Sequence, residues 1–259
     1  MTPGGGSAGS GRPAAGDPTS GPAGPGRGRC GADAGDLVAL VLLDGDYEDA
    51  GYYRRRCAEA GFLVAADGGL RFALAHGVRV DLLIGDFDSL GAADVAAAER
   101  AGVRVERHPV RKDATDGELA VEAALAEGAG ELVLAGALGG ALDHVVGHLA
   151  LLRRATRRGA AARIVAPRLC VTALAAPAEV GLDAAPGARV SLAPLEGDAR
   201  VTLEGLVYPL RAGVLAADAC LGLGNAVSGD ARITVHDGVV AVFVHDGEET
   251  FGRRRREPR

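Results

Sequence analysis

Two short acidic runs carry the densest chemistry in this chain. One reads Ile84-Gly85-Asp86-Phe87-Asp88-Ser89-Leu90, the other Arg111-Lys112-Asp113-Ala114-Thr115-Asp116. Together they supply carboxylates, hydroxyls and one ammonium. Lys112 is the single lysine among 28 cationic side chains. An aspartate-rich site suits Mg²⁺, and a compact ammonium can neutralise a phosphate as a point charge. The pattern is that of a magnesium–polyphosphate site.

Such residues act together only if regular elements hold them. Apolar runs predict strands at Leu37–Leu43, Phe62–Ala66, Leu82–Ile84, Val103–Arg107, Leu132–Ala135 and Arg163–Ala166. Helical periodicity between them predicts helices over Tyr47–Ala60, Leu70–His76, Ala92–Ala101, Asp116–Glu127 and Ala141–Arg158. This alternation implies an α/β fold, a Rossmann-like and mostly parallel sheet with flanking helices. Ligands of such sheets bind at the carboxyl ends of the strands. Asp44 and Asp46, Asp67-Gly68-Gly69, Asp86 and Asp88, and Gly139-Gly140 all follow predicted strands.

After Pro167 the pattern changes. Leu169–Leu174, Arg189–Leu192, Arg200–Leu203, Ala231–His236 and Val239–Val244 are short β-like runs separated by turn residues, and His236-Asp237-Gly238-Val239 reads as a tight hairpin. The predicted organisation is a disordered Gly/Pro/Ala-rich tail over 1–35, an α/β domain over 36–167, a small antiparallel β-sandwich domain over 168–252 and a basic tail over 253–259.

Each motif has a plainer reading beside the chemical one. Asp86 and Asp88 flank Phe87; in an extended backbone both carboxylates share one side, which suits a cation, whereas Asp-x-Asp-Ser also forms Asx-turns. Thr115 and Glu118 match a helix capping box with Asp116 in the first turn, which leaves Lys112 and Asp113 unexplained. Gly68 and Gly69 permit a tight turn and close approach of a phosphate; Gly139 and Gly140 do so less distinctively. His144 and His148 lie one helical turn apart, a spacing that can bind zinc, but no third ligand shares their face. Asp143 suits a helix cap or an acceptor of substrate hydrogen bonds.

Bulk properties exclude other classes. A net charge of −6 gives no general attraction to nucleic acid or anionic membrane. No run is long and apolar enough for a transmembrane helix, and the N-terminus lacks the pattern of a secretory signal. Cys30, Cys57, Cys170 and Cys220 are scattered, as expected of reduced thiols in a cytoplasmic protein. Neither a P-loop nor a Gly-x-Ser-x-Gly elbow is present.

The order of motifs resembles the thiamine pyrophosphokinase family. It runs Asp67-Gly68-Gly69, Gly85-Asp86-Phe87-Asp88-Ser89, Lys112-Asp113-x-Thr115-Asp116 and Gly139-Gly140-x-x-Asp143-His144, with Gly205-Leu206-Val207-Tyr208-Pro209-Leu210 beyond. The resemblance implies Mg²⁺-dependent transfer of pyrophosphate from ATP to the thiamine hydroxyl, releasing AMP, in a homodimer with thiamine between subunits. It implies Asp86, Asp88 and Asp116 as metal ligands, completed by Asp67 and Asp113. Lys112 would face the polyphosphate, with Ser89, Thr115 and the paired glycines 68, 69, 139 and 140 in support. Asp143, His144, Asn225 and Ser228 would bind the acceptor. Two positions depart from the family: Ala141 stands where arginine is usual, and Gly224-Asn225 replaces Ser-Asn. Both departures lie on the acceptor side. The alternatives are therefore a pyrophosphokinase for another hydroxymethyl heterocycle, such as a pterin, or a non-catalytic nucleotide- or thiamine-binding relative. Tyr208, Phe87 and Phe243 are the candidate stacking platforms.

Overall fold

The computed structural model describes Met1 and residues 37–110 and 113–245. Lys112, residues 2–35 and residues 253–259 lie outside the described residues.

The first half alternates strand and helix. It runs β1 (Leu37–Leu42), α1 (Ala50–Glu59), β2 (Phe62–Ala66), α2 (Leu70–Ala75), β3 (Leu82–Gly85), α3 (Ala92–Arg100), β4 (Arg104–Arg107), α4 (Asp116–Ala126), β5 (Ala129–Ala135), α5 (Leu142–Arg157) and β6 (Ala161–Ala166). A single 3-10 turn at Asp67–Gly69 joins β2 to α2. β6, β5, β1, β2, β3 and β4 lie side by side and all pair in parallel. β2 and β3 are buried along their whole length, as continuous apolar runs covered on both faces should be. On one face Leu132, Leu134, Val41 and Ile84 pack with α4 and α5 through Val121, Ala124 and Leu152. On the other, Leu40, Leu42 and Leu83 pack under α1 and α2 through Tyr53, Leu70 and Phe72. Fully burying a leucine of this kind contributes about 1.5–3 kcal/mol.

The second half is all strand: β7 (Leu169–Ala175), β8 (Ala178–Leu182), β9 (Arg189–Pro194), β10 (Ala199–Leu206), β11 (Leu210–Leu215), β12 (Asn225–Asp237) and β13 (Val239–His245). β7 pairs antiparallel with β6 and continues the sheet through β13 and β9. β12 touches β9 only at Asn225 and Ala226, then pairs with β8 and β10 in a second layer. Alternation along β13 shows how the layers share a core. Val240, Val242 and Val244 face Val201, Leu203, Ile233 and Val235 between the two layers. Ala241 belongs to the α4/α5 side of the first sheet, and Phe243 packs against it.

Differences from expectation are local. α1 begins at Ala50, because Asp49 caps it by accepting from Tyr52 N at 3.0 Å. β8 and β11 went unpredicted: each is short, holds a glycine and adjoins turn residues, all of which weaken a strand pattern.

Candidate active site

The acidic residues meet at the carboxyl ends of β2 and β3 and at the start of α4. One carboxylate oxygen each from Asp67, Asp86 and Asp116 lies within 4.8 Å of the others. The backbone explains the convergence. Gly85 ends β3 with φ 153°, and a Cβ there would lie 3.0 Å from Asp67 Cβ and 3.2 Å from Asp116 Oδ1. Only a residue without a side chain lets the two aspartates close over the strand end. Asp67 itself has φ 41°, a left-handed conformation costly for a non-glycine residue. Thr115 caps α4, its Oγ1 accepting from Glu118 N at 3.2 Å, and so fixes Asp116 in the first turn. Glu118 does not return the capping bond in this arrangement; its carboxylate lies 2.5 Å from Arg154.

The expected extended Asp86-Phe87-Asp88 does not form. Phe87 has φ 64°, and its ring is buried in the α1/α2-side core with the Arg107 guanidinium 5.0 Å from its centroid. The turn is an Asx-turn, with Asp88 N donating to Asp86 Oδ1 at 3.1 Å. Asp86 therefore serves the turn and the cluster at once. Asp88 stands beside the trio that Asp67, Asp86 and Asp116 form. The Asp86 carboxylate raises the carboxyl pKa of Asp88 above its usual range, with smaller contributions from desolvation, Asp67 and Asp116. Asp113 is exposed in the bend before α4. Asp67 Oδ1 is buried with no hydrogen-bond partner among the described residues. Hard oxygen donors, an orphaned acceptor and mutually repelling carboxylates are the donor chemistry that suits Mg²⁺.

Ser89 donates its hydroxyl to Asp67 Oδ2. Arg71, on α2, was not singled out from sequence, yet it reaches two loops. Its Nη2 donates to both Asp44 carboxylate oxygens at 2.5 and 2.6 Å, and its Nη1 donates to Ser89 O at 2.7 Å. The only sequence signal was position, the first turn of a helix that starts at a strand end.

The glycines divide by function. A Cβ on Gly69 would sit 2.1 Å from Leu42 O, so Gly69 serves packing against β1. A Cβ on Gly68 would meet the Asp44 carboxylate and Arg71. Gly139, at φ 81°, gives its side-chain space to the Asp46 carboxylate, whereas Gly140 faces open space.

The acceptor-side residues are not part of the converging trio. Asp143 and His144 are exposed in the first turn of α5, whose N-cap is Ala141; Asp143 is therefore not the cap. His148 donates from Nδ1 to Ala137 O at 2.7 Å, and burial lowers its pKa. In sheet order, seven strands separate β12, which carries Asn225 and Ser228, from β3. Asn225 is 5 % exposed. Its amide accepts from Tyr208 N and Ala226 N and donates to Tyr208 O at 2.8 Å, so it braces the turn at Tyr208. Ser228 is exposed on β12. Phe243 is partly buried against the core, which leaves Tyr208, 69 % exposed, as the accessible ring of the three candidates.

Comparison with known proteins agrees with this geometry. Residues 53–164 match the family described as thiamin pyrophosphokinase, catalytic domain. A protein of Bacillus subtilis (strain 168) named thiamine pyrophosphokinase is 27% identical over 149 residues, 57% of this chain and 69% of its own length. The crystal structure of thiamine pyrophosphokinase from Bacillus subtilis shares the fold at TM-score 0.71 and 21% identity, covering 81% of this chain and 98% of that one. The crystal structure of the Geobacillus thermodenitrificans thiamin pyrophosphokinase gives TM-score 0.68 at 26% identity, over 82% and 99% of the two chains. Residues 53–164 are therefore similar in sequence to the thiamin pyrophosphokinase catalytic domain, and the chain shares the fold of these solved structures.

Proposed function

We infer that this chain is a thiamine pyrophosphokinase, transferring pyrophosphate from ATP to the thiamine hydroxyl. The observation that carries the reading is the convergence of Asp67, Asp86 and Asp116 within a catalytic core matching that family. In the reaction the thiamine hydroxyl oxygen bonds to the β-phosphorus. The bond from that phosphorus to the α–β bridging oxygen breaks, and AMP leaves with the oxygen. The hydroxyl proton passes to a carboxylate of the acidic cluster.

Asp67, Asp86 and Asp116 would hold Mg²⁺, with Asp88 alongside. When bound, the ion would neutralise phosphate charge and stabilise the charge that develops during transfer. The chain's own contribution is positioning: the Gly85 bend, the Thr115 cap and the Asp86 turn hold the carboxylates before substrate arrives. Lys112 would add a counter-charge to the polyphosphate.

The remaining assignments rest on the family likeness and fit the chemistry. Residues 36–167 would bind nucleotide and metal, and residues 168–252 would contribute to the acceptor site. A homodimer with the acceptor between subunits would bring Asp143 and His144 of one protomer near the β half of its partner. Exposed Leu142 and Val146 on α5, and Leu221 and Leu223 before β12, are apolar surface that such an interface would cover. Reduced Cys57, Cys170 and Cys220 suit a cytoplasmic setting. Among the described residues no helix is long and apolar enough to cross a membrane.

The test is an assay of the purified chain with ATP, Mg²⁺ and thiamine. Equimolar AMP and thiamine diphosphate are expected, with Asp86→Ala reduced to background. AMP release that requires a hydroxymethylpterin instead of thiamine would overturn the acceptor; an Asp86→Ala protein as fast as the parent would overturn the site.

A further inference from the structure

A chain of contacts runs from the surface into the acidic cluster. It starts at Asp44, which follows β1, and passes to Arg71 on α2 through Nη2 at 2.5 and 2.6 Å. It continues from Arg71 Nη1 to the carbonyl of Ser89, in the loop after β3, at 2.7 Å. It ends where the Ser89 hydroxyl donates to Asp67 Oδ2. Three strand-end loops are thereby tied to one guanidinium. The fold makes room for it: a side chain on Gly68 would begin 2.4 Å from the Asp44 carboxylate and 2.6 Å from Arg71 Nη2.

We propose that Arg71 is a positioning residue that, with Asp44, sets the orientation of Asp67 through Ser89. The proposal rests on the metal reading of the acidic cluster and adds to it. Asp67 needs such support because its backbone is strained at φ 41° and one of its oxygens is buried with no hydrogen-bond partner among the described residues. A strained residue keeps its conformation only when its surroundings over-determine it. Ser89 holds Oδ2, which leaves Oδ1 as the oxygen available to a cation. Arg71 holds Ser89 by its main chain and so fixes where the hydroxyl starts. Asp44 fixes the plane of the guanidinium, whose fork can serve both acceptors at once. Lysine has no such fork. The Arg71–Asp44 pair is about half exposed, so a contribution to overall stability is not expected of it. Its effect should appear in the cluster.

The probe is Mn²⁺ binding to the nucleotide-free full chain, followed by electron paramagnetic resonance and calorimetry. Partners that orient metal ligands typically change affinity about 10- to 100-fold. Arg71→Gln should weaken Mn²⁺ at the lower end of that range. Arg71→Lys should rescue only part of the loss, and Asp44→Asn should shift binding in the same direction. Ser89→Ala should match Arg71→Gln, and the double variant should be no weaker than the worse single one, because both act through one path. Melting temperatures should stay close to the parent. Unchanged Mn²⁺ affinity in Arg71→Gln, or additive losses in the double variant, overturns the positioning role. A raised KM for ATP with unaltered Mn²⁺ binding overturns it too, in favour of direct phosphate contact. A parent that binds no Mn²⁺ overturns the metal reading itself, and this inference with it.

Discussion

Gly85→Ala perturbs the site through one methyl group. The new Cβ would sit 3.0 Å from Asp67 Cβ, 3.2 Å from Asp116 Oδ1 and 3.3 Å from Asp116 Cγ. Each gap is a few tenths of an ångström below comfortable van der Waals contact. The backbone adds its own penalty, since φ 153° is glycine territory. Holding another residue in such a region costs about 1–3 kcal/mol. For a fold of this size 1 kcal/mol lowers Tm by roughly 2–4 °C, so a loss of about 2–12 °C is expected. The second consequence is chemical. Asp67 and Asp116 must part, or β3 must shift away, and either movement opens the donor set. Metal affinity should fall by about 10- to 100-fold, as when ligand-orienting contacts are lost. Calorimetric melting without metal reads the first effect, and the Mg²⁺ dependence of AMP release reads the second. A variant that melts with the parent and needs no more Mg²⁺ would show that Gly85 merely ends a strand.

Two further outcomes follow from other parts of the molecule. Asn225→Ala leaves Tyr208 N and O without their side-chain partner at a partly buried turn, so a stability loss of about 0.5–1.5 kcal/mol is expected in chemical denaturation; an unchanged midpoint would mean water replaces the amide without cost. His148 titrates below its ordinary 6.5 in the folded state, mainly because burial penalises the charged form. Stability from keeping it neutral is complete above pH 6.5 and is lost as pH falls towards the lower folded value, so the parent should lose Tm more steeply than His148→Gln between about pH 7 and 5; parallel curves would remove His148 from the pH response.

Much of the site was readable because strand-end chemistry is local. The apolar runs at Phe62–Ala66 and Leu82–Gly85 located the strands, and the aspartates after them had to lie at one sheet edge. Thr115 announced the α4 start through its side chain alone. What spacing could not convey was backbone sign. Asp67 and Phe87 both adopt positive φ, a conformation that aspartate tolerates better than most residues but that spacing does not announce and that is exceptional for phenylalanine; with these backbones Asp67 stands in the trio and Phe87 in the core. Arg71 stayed hidden because its partners, Asp44 and Ser89, come from loops separated in sequence. Asn225 looked like a ligand group because an exposed and a buried amide read alike in one dimension; its hydrogen bonds to Tyr208 are made across a turn that only the folded chain brings close.

The change of pattern after Pro167 invites a cut there, and β13 argues against making one. Its odd and even side chains belong to different cores: Ala241 to the one under α4 and α5, Val240, Val242 and Val244 to the one between the β layers. Val171 and Ala173 on β7 also serve the α4/α5 side. A fragment ending at residue 167 would lose that cover and leave β6 as an open edge, a template for strand addition by other chains. β13, the last strand among the described residues, therefore fastens the two halves to one another. Shortening the chain from its C-terminal end should compromise the acidic site at the opposite side of the sheet without touching any of its residues.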